Sequence, residues 1–221
     1  MQKTIEKLKI LRELHQHQSM GYTYYKNTLK LNVAKDSFMP NDINSLNRTL
    51  LNCHLCQLSK TRKKVVLGEG NINSKIMFIS EAPNASEDIS GRPFAGKTGE
   101  LFDKIIETML NLKREDIYVS NIIKCKPSQN NPLNINDINL CKPYILKQIS
   151  IVNPSIIITL GSSSFSYLTG DFETSFESVR GEVLQFGNAK LIPTLHPSYL
   201  IKNPSSKKDV FKDMLKVKGL L

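Results

Sequence analysis

The chain has no tryptophan, only four cysteines, and aromatic residues at just 7% of its 221 positions. It has no long apolar run. The longest, around Ile156-Ile157-Ile158, falls far short of the length a membrane-spanning helix needs. The first residues carry charges throughout (Lys3, Glu6, Lys7, Lys9, Arg12, Glu13), which leaves no room for the apolar core of a secretory leader. Acidic residues are in deficit too: 20 against 30 Lys and Arg, a formal net charge of +10. A composition of 40% hydrophobic and 23% charged residues is ordinary globular usage and excludes a disordered or collagen-like chain. The expectation is a soluble, cytoplasmic protein with one large domain and no membrane contact.

Excess positive charge suits a polyanion, because each neutralised phosphate releases condensed counterions. The basic residues are gathered as well. Lys60, Arg62, Lys63 and Lys64 form one knot, Lys124 and Lys126 a second, and Lys202, Lys207, Lys208 and Lys212 a third. Nucleic acid is the expected partner.

Residues 3–16 place Ile5, Leu8, Leu11 and Leu14 at helical spacing, and a stretch with Tyr22, Tyr24 and Tyr25 connects onward. Residues 1–43 therefore read as a helical extension, and 44–221 as the main domain. A helix from about Asn44 leads into Cys53 and Cys56. Beyond it, short apolar runs at Lys75–Ser80, Ile117–Ser120, Ser155–Leu160 and Leu191–Leu195 read as buried strands. Glu100–Leu110 and Asp137–Ile151 keep a helical period between them, and the Asn-rich stretch Gln129–Asn139 enters the second helix with Asn136 as its cap. Alternating strands and helices predict an α/β fold, a parallel sheet covered on both faces, with its crevice at the carboxyl ends of the strands. Those ends carry Glu81, Asn121, Gly161 and His196.

Gly91-Arg-Pro-Phe-Ala-Gly-Lys97-Thr98 satisfies the P-loop pattern letter for letter. Its context is wrong. The preceding strand ends near Ser80, Pro93 has no N–H to offer a phosphate, and no strand ends in an Asp placed for magnesium. A P-loop NTPase is the weakest of three readings. The four cysteines comprise the C-x-x-C pair Cys53 and Cys56, then Cys125 and Cys141 far along the chain. A disulfide framework does not suit an intracellular chain, and the C-x-x-C spacing points to a metal centre. The spacing does not distinguish zinc from iron–sulfur.

In order along the chain stand Cys53-His-Leu-Cys56, Gly68-Glu-Gly70, Ser80-Glu-Ala-Pro-Asn84, Gly91-Arg-Pro-Phe-Ala-Gly96, Asn121-Ile-Ile-Lys-Cys125-Lys-Pro127, Cys141, Arg180-Gly181 and His196-Pro-Ser-Tyr-Leu200. From about Asn44 to Lys216 this series resembles the family 4 uracil-DNA glycosylases, the iron–sulfur branch of their superfamily. The resemblance implies a three-layer α/β/α fold around a four-stranded parallel sheet. It also implies a [4Fe-4S] cluster on Cys53, Cys56, Cys125 and Cys141, and a monomer acting on uracil in single- or double-stranded DNA.

On the same resemblance, Phe94 would stack on a flipped-out base, and its loop setting favours exposure. Asn121 would read the base edge, donating to uracil O4 and accepting from N3–H, a pattern that cytosine reverses. His196 would donate to O2 as charge develops there. Glu81 would position water or stabilise the sugar cation. Ala82 stands where some relatives have a catalytic Asp. Lys124 and Lys126 would meet phosphates, and Tyr199 or Leu200 would either wedge into the vacated stack or simply pack.

Two positions depart from the usual Gly-Glu-Ala-Pro-Gly motif. Ser80 and Asn84 replace its glycines, so both are expected to narrow the pocket. Asn84 is also expected to alter discrimination at uracil C5 or to add a polar contact to the base. The remaining reading is an iron–sulfur DNA-binding module without glycosylase activity, which would have no use for Phe94, Asn121 and His196 together.

Overall fold

The computed structural model describes residues 39–221. The expected helix over 3–16, the Tyr22–Tyr25 connector and nearly all of the 1–43 extension lie outside the described residues. Four strands fall where the apolar runs predict them: β2 (Ile76–Ser80), β3 (Tyr118–Asn121), β4 (Ile156–Leu160) and β6 (Ala189–Thr194). They pair in parallel in the order β3-β2-β4-β6. The first three of the four are buried at every position, as strands covered on both faces must be.

The sheet is nevertheless six-stranded and mixed, which corrects the expected four-stranded parallel count. β1 (Glu69–Gly70) and β5 (Leu184–Phe186) add antiparallel edges to β3 and β6. At two and three residues these edges are too short to show a period of two. The second does carry a turn signal: Gly187, at φ 58°, opens the two-residue Gly187-Asn188 turn between Phe186 and Ala189.

Side-chain alternation divides the strands between two cores. Phe78, Val119, Ile158 and Ile192 join Phe102 and Ile106, and Val210 and Met214, in one buried cluster. The first helical pair comes from α4 (Lys97–Ile105) and the single π-turn Ile106–Leu110 that continues it. The second comes from α9 (Lys207–Lys218). The alternate residues Met77, Ile79, Tyr118, Ile157 and Leu191 are buried as well. The long α5 (Ile135–Val152) packs on β3, and α6 (Ser162–Thr169) packs on β4 and β6. α5 is capped by Asn134, one turn-start earlier than the expected Asn136. Its side chain accepts from Asp137 N–H, and Asp137 reciprocates, so Asn136 lies inside the helix.

The P-loop look-alike is built differently from a phosphate loop. After β2 the chain forms a short helix, α3 (Ala85–Ser90), before the Gly91–Gly96 turn. Arg114 pins that turn by donating to the carbonyls of Pro93 and Phe94 at 3.3 and 2.9 Å. Phe94 sits at φ 53°, and a Cβ on Gly99 would come within 1.7 Å of its carbonyl oxygen. Only a residue without a Cβ lets α4 start this close to the turn. Gly99→Ala should lower stability by about 1–3 kcal/mol through overpacking, read as a drop in Tm; an unchanged Tm would contradict this packing.

Candidate active site

The carboxyl ends of β2, β4 and β6 open on a cleft of about 550 Å³. Ser80, Glu81, Ala82, Asn84 and His196 line it, together with Tyr199. His196 follows β6 and caps α8 (Pro197–Lys202). Its Nδ1 accepts the backbone N–H of Ser198 at 3.1 Å, with Ser198 Oγ at 2.6 Å. With Nδ1 held as an acceptor, the ring proton sits on Nε2, which lies 3.0 Å from Ser80 Oγ. Burial lowers the imidazole pKa to about 4. His196 is thus a neutral ring that presents an N–H donor at the cleft wall.

A residue that the sequence reading passed over organises the opposite wall. Glu87, buried in α3, also lines the cleft. Its Oε1 accepts from Asn84 Nδ2 and its Oε2 from Asn121 Nδ2, each at 3.0 Å. The backbone N–H of Phe94 bonds to it as well. Burial raises its pKa, against the pull of these donors and of Arg114. The Asn-x-x-Glu spacing of a helix start, Asn84 to Glu87, was the available signal. Asn84 is that cap, for its Oδ1 accepts Glu87 N–H at 3.0 Å. Both ends of the Asn84 amide are therefore turned to Glu87.

The same carboxylate fixes the Asn121 amide. With Nδ2 on Glu87, Asn121 is 1% exposed and its Oδ1 has no hydrogen-bond partner. A buried acceptor left unpaired costs about 1–3 kcal/mol, which a ligand donor would offset. Asn121 does not line the open cleft itself. It stands one strand over from Ser80, its register partner.

Behind β3, all four cysteines line a second cavity, with apolar walls from Leu50, Val65 and Tyr144 and two cations, Arg62 and Lys124. Arg62 donates to Cys125 Sγ at 3.1 Å. Burial raises the thiol pKa values of Cys56 and Cys125, and that of Cys141 to about 12, so a bound group must displace protons. Among the described residues no three His, Cys, Asp or Glu side chains converge as a single metal ion requires. Four thiols line one cavity, two of them beside cations.

A family model described as the uracil DNA glycosylase superfamily matches residues 67–217. The chain is 42% identical over 176 residues to a type-4 uracil-DNA glycosylase of Saccharolobus solfataricus, covering 76% of this chain and 82% of that one. It is 37% identical to that of Thermotoga maritima over 76% of this chain and 89% of the relative, and 35% identical to that of Sulfurisphaera tokodaii over 80% and 84%. The chain belongs to the uracil DNA glycosylase superfamily.

Within that superfamily frame, four expected placements are corrected. Phe94 is only 4% exposed, its ring stacked on Phe102 at 4.4 Å between centroids, because Arg114 and Glu87 fold its loop inward. Lys124 is 1% exposed and donates to Ser120 Oγ, Asn121 O and Gln148 Oε1, which uses all three of its protons. It is a strut and does not face DNA. Burial lowers its pKa to about 8, so it keeps its charge at neutral pH. Leu200 is buried in the core beneath α8, whereas Tyr199, 47% exposed, stands at the cleft rim. Asn84 lines the cleft, but its amide is occupied as a cap, so the expected polar contact to a base is not available from it. Lys126 is half-buried, and its Nζ donates to Pro127 O at 3.3 Å. Lys60, Lys63, Lys64, Lys202, Lys207, Lys208 and Lys212 are exposed. No described helix is long and apolar enough to cross a membrane.

A histidine held neutral makes folding pH-dependent in one direction. Between about pH 6.5 and about 4 the unfolded chain takes up a proton that folded His196 refuses. Its contribution is present above pH 6.5 and is lost on acidification through that window. Urea unfolding across the window should show this slope, and His196→Gln should remove it. An imidazole resonance titrating near its ordinary pKa would contradict the half-buried, neutral assignment.

Proposed function

We infer that the protein is a monofunctional uracil-DNA glycosylase, which flips uracil out of DNA and hydrolyses its N-glycosidic bond to begin base excision repair. The observation that carries the reading is the Asn121 amide. Its Nδ2 is bound to Glu87, so its unpaired Oδ1 can only accept. Uracil offers N3–H as a donor, whereas cytosine has a bare N3 there and would place two acceptors face to face. The second Nδ2 proton is free for uracil O4. Family membership and the type-4 relatives support the same substrate.

Breaking the C1′–N1 bond leaves negative charge on the base, spread onto O2, and positive charge on the sugar. His196, neutral with its proton on Nε2, would donate to O2 as that charge grows. A neutral donor suits this role, since it needs no proton transfer to act. Glu81 in the cleft would stabilise the sugar cation and orient the attacking water. Ala82 leaves no carboxylate at the neighbouring position. Phe94, whose ring lies 6.0 Å from that of His196, would stack on the uracil face. Tyr199 at the rim would fill the gap in the stack. The exposed lysines beside the cysteine segment and along α8 and α9 would hold phosphates. The protein would act as a monomer in the cytoplasm on single- or double-stranded DNA.

Cys53, Cys56, Cys125 and Cys141 would hold a [4Fe-4S] cluster. When bound, the cluster supplies a covalent staple between the Cys53–Cys56 segment, the loop after β3 and α5; base excision needs no electron from it. The test is strand scission after alkali of oligonucleotides with one uracil, single-stranded, opposite G or opposite A. The wild type should cleave, and His196→Ala and Asn121→Ala should each lose about 10²–10³-fold. Purified protein should carry iron and sulfide in equal amounts, and Cys141→Ser should lose both. Iron-loaded protein that releases no uracil from any of the three would overturn the reading.

A further inference from the structure

We propose that Ser80 is a second hydrogen-bond donor to uracil O2, sharing with His196 the charge that develops there. The proposal rests on the glycosylase reading and deepens it, because the type-4 motif has a glycine, with no side chain to donate, at this position.

The assignment follows from where protons must sit. Ser198 N–H points at His196 Nδ1, so His196 Nε2 carries the hydrogen and Ser80 Oγ accepts it across 3.0 Å. A hydroxyl that accepts still has its own proton to place. Among the described residues Ser80 Oγ has His196 as its one hydrogen-bond partner, so that proton has no protein acceptor. Ser80 is buried on one side by the sheet and lines the cleft on the other. The unplaced O–H therefore belongs to whatever enters.

Position selects the atom it meets. Ser80 ends β2, in register with Asn121 on β3, and its hydroxyl reaches across to His196 beyond β6. A uracil whose N3–H meets Asn121 Oδ1 and whose O2 turns to His196 brings O2 past Ser80. Two donors 3.0 Å apart can serve the two lone pairs of one oxygen. On binding, His196 Nε2–H transfers its bond from Ser80 Oγ to O2, and Ser80 O–H turns to O2 beside it. In the chemical step the C1′–N1 bond breaks and its electron pair passes to N1 and O2. The sugar cation then takes hydroxide from water, and the remaining proton goes to solvent. Both bonds strengthen as O2 gains charge, so the effect falls on kcat rather than on substrate binding.

The experiment compares wild type, Ser80→Ala, Ser80→Gly and Ser80→Thr in single-turnover release from DNA holding uracil or 2-thiouracil, whose sulfur is a poor acceptor. Ala and Gly should lower the maximal rate on uracil about tenfold or more, with half-saturation unchanged, and Thr should keep most of it. On 2-thiouracil the Ala and Gly losses should largely vanish. Ala or Gly variants as fast as wild type, or faster, would overturn the proposal and make the hydroxyl a competitor for His196. Equal losses on both bases would also overturn it, leaving Ser80 a packing residue. A wild type that releases no uracil would instead sink the glycosylase reading itself.

Discussion

A single buried carboxylate, Glu87, ties together the parts of the cleft that sequence scatters over almost forty residues. It accepts from the Asn84 and Asn121 amides and from the backbone of Phe94, so one side chain joins α3, the Gly91–Gly96 turn and the end of β3. Burial works against its charge, and the donors around it counter that penalty only in part, leaving its pKa raised. Without Glu87 the Asn121 amide could turn either way. An amide free to flip would accept from uracil or donate to cytosine with equal ease. On the proposed reading, the constraint that holds the fold around the cleft would also be the one that makes the base edge readable.

The opposite side of β3 repeats the pattern with the sign reversed. Lys124 is buried, and its ammonium is met by Ser120, Asn121 and Gln148, with Cys125 next in the chain and Cys141 beside it. Arg62 leans on Cys125 Sγ. The two cations nearest the cysteines are thus drawn inward, and the lysines around them stay in solvent. Asn121 is held through its side chain by Glu87, which lines the cleft, and through its carbonyl by Lys124, which lines the cysteine cavity, so one residue links the two.

Much of this was legible in the sequence. The four parallel strands lie within two residues of the apolar runs, because a strand covered on both faces must be apolar throughout. Asn121 closes one such strand and His196 follows another, at the ends where a parallel sheet opens its crevice. What escaped was decided by contacts between distant segments. Lys124 reads as a surface cation, and only the meeting of Ser120, Asn121 and Gln148 around its ammonium explains its burial. Phe94 sits in a turn that looks exposed, yet Arg114, twenty residues on, folds it onto Phe102. Leu200 follows Tyr199, and the turn of α8 alone decides which of the pair faces the core. Glu87 was written in the sequence as the third position of a capped helix, a local role that gave no hint of Asn121 beyond it.

The most direct test of this account is a double-mutant cycle between Glu87→Gln and Asn121→Ala, read by single-turnover release of uracil. If Glu87 acts by holding the Asn121 amide, Glu87→Gln costs about tenfold or more in the wild-type background and almost nothing once Asn121 is Ala. Equal losses in both backgrounds would contradict the account, leaving Glu87 a packing residue and the selection of uracil without its anchor.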